Sequence, residues 1–298
     1  MSSPSISGLV KLLRPRQWTK SLVCLAGAFF SGHLFEPYFL LRALAATAAF
    51  CAASSFVYII NDVLDRDRDR AHPRKRARPI PSGQVTVSQA LIFSMVIFAV
   101  AIALGSLLGI SVLGILAGYA LLNVAYSAIL KNLSLVDATV VAAGFILRIY
   151  AGTVAVSVSP SAWILLSTLF LALFLALGKR RAEINAASES PAPAAATRAV
   201  LHKYNVVMLD RFCNICATLA IASYALFTVL GHANRSLIVT TPPVVMGIFR
   251  YLLLVERYQE GEAPDAILLK DWAIQLAILV WAILYVAVLY FGLQIDVQ

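Results

Sequence analysis

Residues 39–69 read FLLRALAATAAFCAASSFVYIINDVLDRDRD. The run 39–60 is apolar over a membrane-spanning length, interrupted only by Arg42, and then Asp62, Asp65, Asp67 and Asp69 arrive together. Acids at the end of a buried apolar helix are costly, which makes this junction a functional-site candidate. Asn61, Asp62, Asp65 and Asp69 fall at i, i+1, i+4 and i+8, so the spacing predicts one shared helical face. Arg74, Lys75, Arg76 and Arg78 follow, and Pro79-Ile80-Pro81-Ser82-Gly83 sets a rigid turn beside them. Carboxylates on one face with cations just beyond suit a divalent ion and a phosphorylated ligand. Asp62, Asp65 and Asp69 are the expected oxygen ligands for Mg²⁺, with Asn61 as a ligand or an orienting amide. Asp67 points off that face and is expected to pair with neighbouring arginines. Arg74 and Arg78 read as a phosphate clamp; membrane anchoring is the plainer use of such a cluster.

The rest of the chain fits a membrane setting. Of its 298 residues 60% are hydrophobic and 13% charged, and the mean hydropathy is +0.83. That excludes an ordinary soluble domain and predicts an all-α polytopic membrane protein. Nine spanning segments are expected, at 22–36, 39–62, 88–108, 110–129, 135–156, 162–179, 212–231, 237–255 and 272–292. Apart from Arg42, Arg148, Arg235 and Arg250, every Lys and Arg lies in the amino-terminal segment or near alternate loops. The positive-inside rule then puts the amino terminus in the cytoplasm and the carboxyl terminus outside an inner membrane. The net charge of +9 reads as topology plus an anionic ligand, with no nucleic acid implied. Residues 1–21 lack the apolar core of a signal peptide, so the first helix is the expected insertion signal. Cys213 and Cys216 form a C-x-x-C inside an apolar segment and read as small core residues.

One domain, 1–298, is expected, with a cytoplasmic segment 1–21 and two cytoplasmic active-site loops, 63–87 and 180–210. The two loops are four helices apart, which hints at an internal duplication. Within the second, Ala186–Ala199 is Ala/Pro/Ser-rich and reads as flexible. Lys179, Arg180 and Glu183 precede that stretch; Tyr204 and Asp210 follow it. Arg148 lies deep in its segment, where it must face the protein interior; Asp137 or a bound phosphate are its candidate partners. Lys131 and Tyr126 lie near the same interface as the acids. The outer loops are short and nearly uncharged, which argues against a transporter, whose polar groups would also sit near mid-membrane.

Asn61-Asp62-x-x-Asp65-x-x-x-Asp69, followed by Arg74, Arg78-Pro79 and Gly83, resembles the first aspartate motif of the UbiA family of intramembrane prenyltransferases. The resemblance covers nearly the whole chain. It implies a helical fold around a central cavity open to the cytoplasmic side, with Mg²⁺ holding a diphosphate. Most members carry a second Asp-x-x-x-Asp motif after helix 6; this chain has Lys179-Arg180-Arg181-x-Glu183 and a lone Asp210. That departure, with Arg14-Pro15-Arg16-Gln17-Trp18-x-Lys20 and the run from Gly261-Glu262 to Asp271, resembles the decaprenyl-phosphate phosphoribosyltransferase branch. The resemblance implies transfer of 5-phosphoribose from phosphoribosyl diphosphate to a polyprenyl phosphate, feeding cell-envelope arabinan. That donor carries a second phosphate, so Lys20, Arg74, Arg78, Lys131, Arg148, Lys179 and Arg180 are expected to clamp it. Asn61, Asp62, Asp65, Lys20 and Arg148 are placed at the catalytic centre, and Glu183, Tyr204, Asp210 and Tyr126 at substrate. A prenyltransferase acting on an aromatic acceptor shares the first motif and is the alternative.

Overall fold

A computed structural model of the chain describes residues 5–71, 75–189, 199–231, 234–257, 267 and 270–294. Its elements are helices: α1 (Ile6–Leu13), a 3₁₀ segment (Pro15–Leu25), α2 (Ala26–Phe30), α3 (Pro37–Leu64), α4 (Arg66–Ala71), α5 (Val87–Leu108), α6 (Ile110–Ala128), α7 (Val136–Ala155), α8 (Ala162–Glu189), α9 (Val206–Leu230), α10 (Thr241–Arg257) and α11 (Trp272–Leu289). Among the described residues eight helical segments are long and apolar enough to cross a membrane, so this is a multi-pass membrane protein. Two compact units divide at Pro160 and Ser161.

In the first unit α3 is the central helix. Its buried face is built from Ala46, Ala49, Phe50, Ala53 and Val57, which meet Ala101, Leu116, Ala151 and Ala155 of α5, α6 and α7. Small residues let the backbones close on one another, which supplies packing where lipid supplies no hydrophobic drive. The expected first span, 22–36, is not one helix. It divides into the 3₁₀ segment, which begins at Pro15, and the short α2. Glycines explain how this piece sits. A Cβ on Gly152 of α7 would collide with the Cys24 carbonyl, and one on Gly27 would lie 2.8 Å from the Thr153 backbone nitrogen. The chain therefore lies backbone to backbone on α7, not as a free-standing span. Arg42 in α3 explains itself here. Its guanidinium donates to the carbonyls of Ala155 and, at 3.0 Å, Leu108, closing the C-terminal ends of α7 and α5.

In the second unit α8 packs along α9, with Ser167 donating to the Ala220 carbonyl at 3.2 Å. Trp281 Nε1 donates to the Tyr224 hydroxyl at 2.6 Å, and that hydroxyl shares a hydrogen bond with Thr240, which ties α9, the 3₁₀ segment Arg235–Thr240 and α11 together. The expected loop 180–210 is mostly helix where it is described: α8 runs on to Glu189 and α9 begins at Val206. Lys, Arg, Ala and Glu are good helix formers, so leaving the apolar layer does not end α8. Asn205 caps α9 by accepting from the Met208 N–H at 2.7 Å. Cys213 and Cys216 are buried free thiols, as expected for core residues.

Gly152→Ala is expected to lower stability by about 1–3 kcal/mol through overpacking. Gly118→Ala, where nothing lies within 4 Å, is expected to be neutral or stabilising. Thermal unfolding of both variants in detergent checks the contrast; equal melting temperatures would contradict it.

Candidate active site

The site begins where α3 ends. Its last turn carries Asn61 and Asp62, and Asp65 caps it at φ −90°, ψ 4°, outside the helical region. The single helical face expected for the acids is therefore broken: the chain turns at Asp65 and restarts as α4, which carries Asp69. The turn brings Asp62 and Asp69 together by another route. Residues 78–85 fold back onto α1 and α3, because Ile80 and Val85 bury against Leu12 and Ile59. Gly83, at φ 80°, supplies the left-handed turn this return needs. That packing sets Arg78 over the acids. Its Nη1 donates to Asp62 Oδ1 at 3.0 Å and to Asp69 Oδ2 at 2.6 Å. Asp62 and Asp69 are each only 2% exposed.

A fourth residue, which the sequence motif does not link to the acids, completes this cluster. Arg14 Nη2 donates to Asp62 Oδ1, and its guanidinium stacks 5.2 Å from the centre of the Tyr58 ring. Arg14 ends α1 in the left-handed conformation, at φ 51°. Ser55 pins the chain on either side of it, donating to the Leu13 carbonyl at 2.9 Å and accepting from Trp18 Nε1 at 3.1 Å. Lys131, from the 3₁₀ turn after α6, donates to Asp65 Oδ1 at 2.7 Å. Asn61, beside Asp62 at the end of α3, is half-buried; Tyr126 on α6 is half-buried too. Lys20 donates to Gln17 Oε1 at 2.6 Å. Asp67 lies exposed and pairs with Arg66 and Arg70, as its off-face position implied; the Arg66 contact holds its carboxyl below the usual range. Arg74 lies outside the described residues.

Arg148 is elsewhere. It is 5% exposed in α7 and meets no carboxylate among the described residues. Its Nη1 donates to the Gly144 carbonyl at 2.9 Å, and Nη2 donates to Ser54 Oγ at 3.1 Å and the Tyr119 hydroxyl at 2.7 Å. Phe50, Tyr119 and Phe145 surround it at 4.8 to 5.8 Å. Ser54 precedes Asp62 by eight residues on α3, so Arg148 sits about 12 Å deeper along that helix. A desolvated guanidinium gains about 2 kcal/mol from each good ring face, which helps offset the missing counter-ion.

The second unit has its own polar end. Arg180, 3% exposed, donates to Glu183 Oε2 at 2.7 Å. Arg181 donates to Asp210 Oδ1 and, at 2.8 Å, to the Val255 carbonyl, so Arg181 braces α8 against α9 and α10. Lys179 is half-buried and Tyr204 buried. Arg250 grips Asp271, which also caps α11 by accepting from the Ile274 N–H at 3.0 Å. The Arg250 contact holds the Asp271 carboxyl below the usual carboxylate range.

The UbiA prenyltransferase family profile matches residues 21–272. The chain belongs to this family. Within it, the chain is 32% identical to a decaprenyl-phosphate phosphoribosyltransferase of Corynebacterium glutamicum over 95% of its own length and 87% of the relative's. It is 33% identical to the Mycobacterium tuberculosis protein of the same name over 96% of both chains. Among solved structures, a UbiA homolog from Archaeoglobus fulgidus bound to GPP and Mg²⁺ shares the fold, with a TM-score of 0.74 at 19% identity over 95% of this chain and 99% of that one. The expected helical UbiA fold is therefore observed, with eight candidate spans among the described residues in place of nine.

Tyr119→Phe is expected to destabilise the fold by about 1–3 kcal/mol, because it takes an acceptor from a buried cation. Adding Arg148→Met should remove most of that penalty, since the cation goes too. A double-mutant cycle by thermal unfolding measures the coupling; additive losses would show that Tyr119 and Arg148 do not act together.

Proposed function

We propose that this protein transfers 5-phosphoribose from phosphoribosyl diphosphate to a polyprenyl phosphate and releases diphosphate. The identity to phosphoribosyltransferases of that name, over nearly the full length of both chains, carries the reading. The site's chemistry supports it. Asp62, Asp65 and Asp69 present hard oxygen donors, and Arg14, Arg78 and Lys131 stand on those same oxygens. As placed, no three acids, histidines or cysteines among the described residues converge on one point that would hold an ion. The donors therefore fit Mg²⁺ that arrives with phosphate oxygens to complete its shell, which is how Mg²⁺ is commonly held. Asp62 and Asp65, with Asn61 or Asp69, would hold it. When bound, the ion neutralises charge on the departing diphosphate.

The chain's own residues do the rest. Arg78 and Lys131 donate to the diphosphate oxygens, and Arg74 is assigned to the same clamp. Their charge stabilises the electron pair that leaves with diphosphate as the C1–O bond breaks. A lipid phosphate oxygen forms the new bond at C1 from the opposite face, which inverts that carbon. This nucleophile is anionic near neutral pH, so no side chain needs to remove a proton. Lys20, Lys179 and Arg180 are assigned to the donor's charge, and Tyr126, Glu183, Tyr204 and Asp210 to substrate contacts; Arg148, buried among Ser54, Tyr119 and Phe50, is given no part in the clamp. The acids face the cytoplasm in this reading, where the soluble donor is found, with the amino terminus on that side and the carboxyl terminus outside. The lipid product would supply cell-envelope arabinan synthesis.

Purified protein in detergent, given Mg²⁺, labelled phosphoribosyl diphosphate and a polyprenyl phosphate, is expected to move label into the lipid fraction. Asp62→Ala and Asp65→Ala should each lower the rate by at least about a hundredfold, and a chelator should abolish it. Asp67→Ala should keep the wild-type rate. A folded enzyme that transfers nothing to lipids of several lengths, yet moves a prenyl group to an aromatic acceptor, would overturn the assignment.

A further inference from the structure

The acids at the end of α3 are fully matched by cations. Asp62 holds Arg14 and Arg78, Asp69 holds Arg78, and Asp65 holds Lys131. Three carboxylates thus meet three cations, delivered by three separate elements: the α1 terminus, the returning loop after α4, and the turn after α6. A metal ion alone would have to enter against these positive charges. A diphosphate alone would meet the carboxylates. Both together satisfy every group, because the acids turn to the metal while the cations turn to phosphate oxygens.

Arg14 is the telling member. It holds a left-handed backbone conformation that a side chain other than glycine adopts at a cost. The chain on both sides of it is pinned through Ser55, and its guanidinium lies against the Tyr58 ring. Its side chain keeps 26% exposure although its partner carboxylate keeps 3%. This is a cation placed on a buried acid from the open side, anchored at its backbone and able to turn at its side chain. A fixed structural pair needs neither the backbone strain nor the open side.

We propose that Arg14 is a diphosphate-binding residue that serves as counter-ion to Asp62 while the site is empty, so that metal and diphosphate load by exchange of ion pairs and only as a couple. The inference rests on the reading of this site as one for a diphosphate donor. Its physical content is that Arg14, Arg78 and Lys131 hold the affinity for metal alone low and the affinity for the metal–diphosphate pair high.

The test is Mn²⁺ binding to the full-length protein in detergent, read from the loss of the free-ion paramagnetic resonance signal with no diphosphate present. Arg14→Gln and Lys131→Gln are each expected to bind Mn²⁺ at least about tenfold more tightly than the wild type. With Mn²⁺ saturating, the same variants are expected to bind phosphoribosyl diphosphate at least about tenfold more weakly. Unchanged or weaker Mn²⁺ binding in the variants would overturn the proposal. Should Arg14→Gln fail to fold, Lys131→Gln, which removes a pair on the rim of the cluster, decides alone. The two readings fail separately. Tighter Mn²⁺ binding in a protein that transfers no phosphoribose leaves the exchange standing and removes the reaction. Normal transfer with unaltered Mn²⁺ binding does the reverse.

Discussion

A carboxylate at the end of a buried helix must have its charge answered, and Asp62 is where this fold meets that demand. Its oxygen draws Arg14 from the end of α1 and Arg78 from the loop beyond α4. Those two contacts fix the amino-terminal segment and the returning loop relative to α3. Much of the surrounding packing serves them. Leu12, Ile59, Ile80 and Val85 form one buried cluster that holds α1, α3 and the loop in register. The Thr86–Gln89 capping box then starts α5 cleanly after the loop. A hydrophobic cluster and an ion-pair cluster thus stabilise the same junction, and a change in one is felt in the other.

Two cations in the first unit, one half-buried and one buried, have their charge answered differently. Arg78 is neutralised by carboxylates at a site that remains partly open, so its partners can be exchanged. Arg148 has hydroxyls, a carbonyl and aromatic faces, and it is closed off. The first arrangement suits a site that must accept a charged ligand. The second links α3, α6 and α7 through Ser54, Tyr119 and Gly144, and gives the helix that carries the acids a firm lower section.

Much of this was legible in the sequence. The spanning helices showed in their hydropathy, and the acid cluster showed in the spacing of Asp62, Asp65 and Asp69 after an apolar run. Asp67 was separated from them correctly by helical phase alone. Two things were not legible. The segment 22–36 is apolar enough to span, but Gly27 and Gly152 let it lie against α7, and close backbone approach leaves no periodic trace. The pairing of Arg14 with Asp62 joins residues 48 positions apart, and no local pattern reports such a contact.

The most direct measurement follows two labels on one donor. Phosphoribosyl diphosphate carrying one isotope in the ribose and another in the β-phosphate is incubated with the protein, a divalent metal and a polyprenyl phosphate. The labels are expected to separate, with the ribose label entering the lipid and the β-phosphate label recovered as free diphosphate, in equal amounts. Labels that stay together, in either phase, would contradict this transfer.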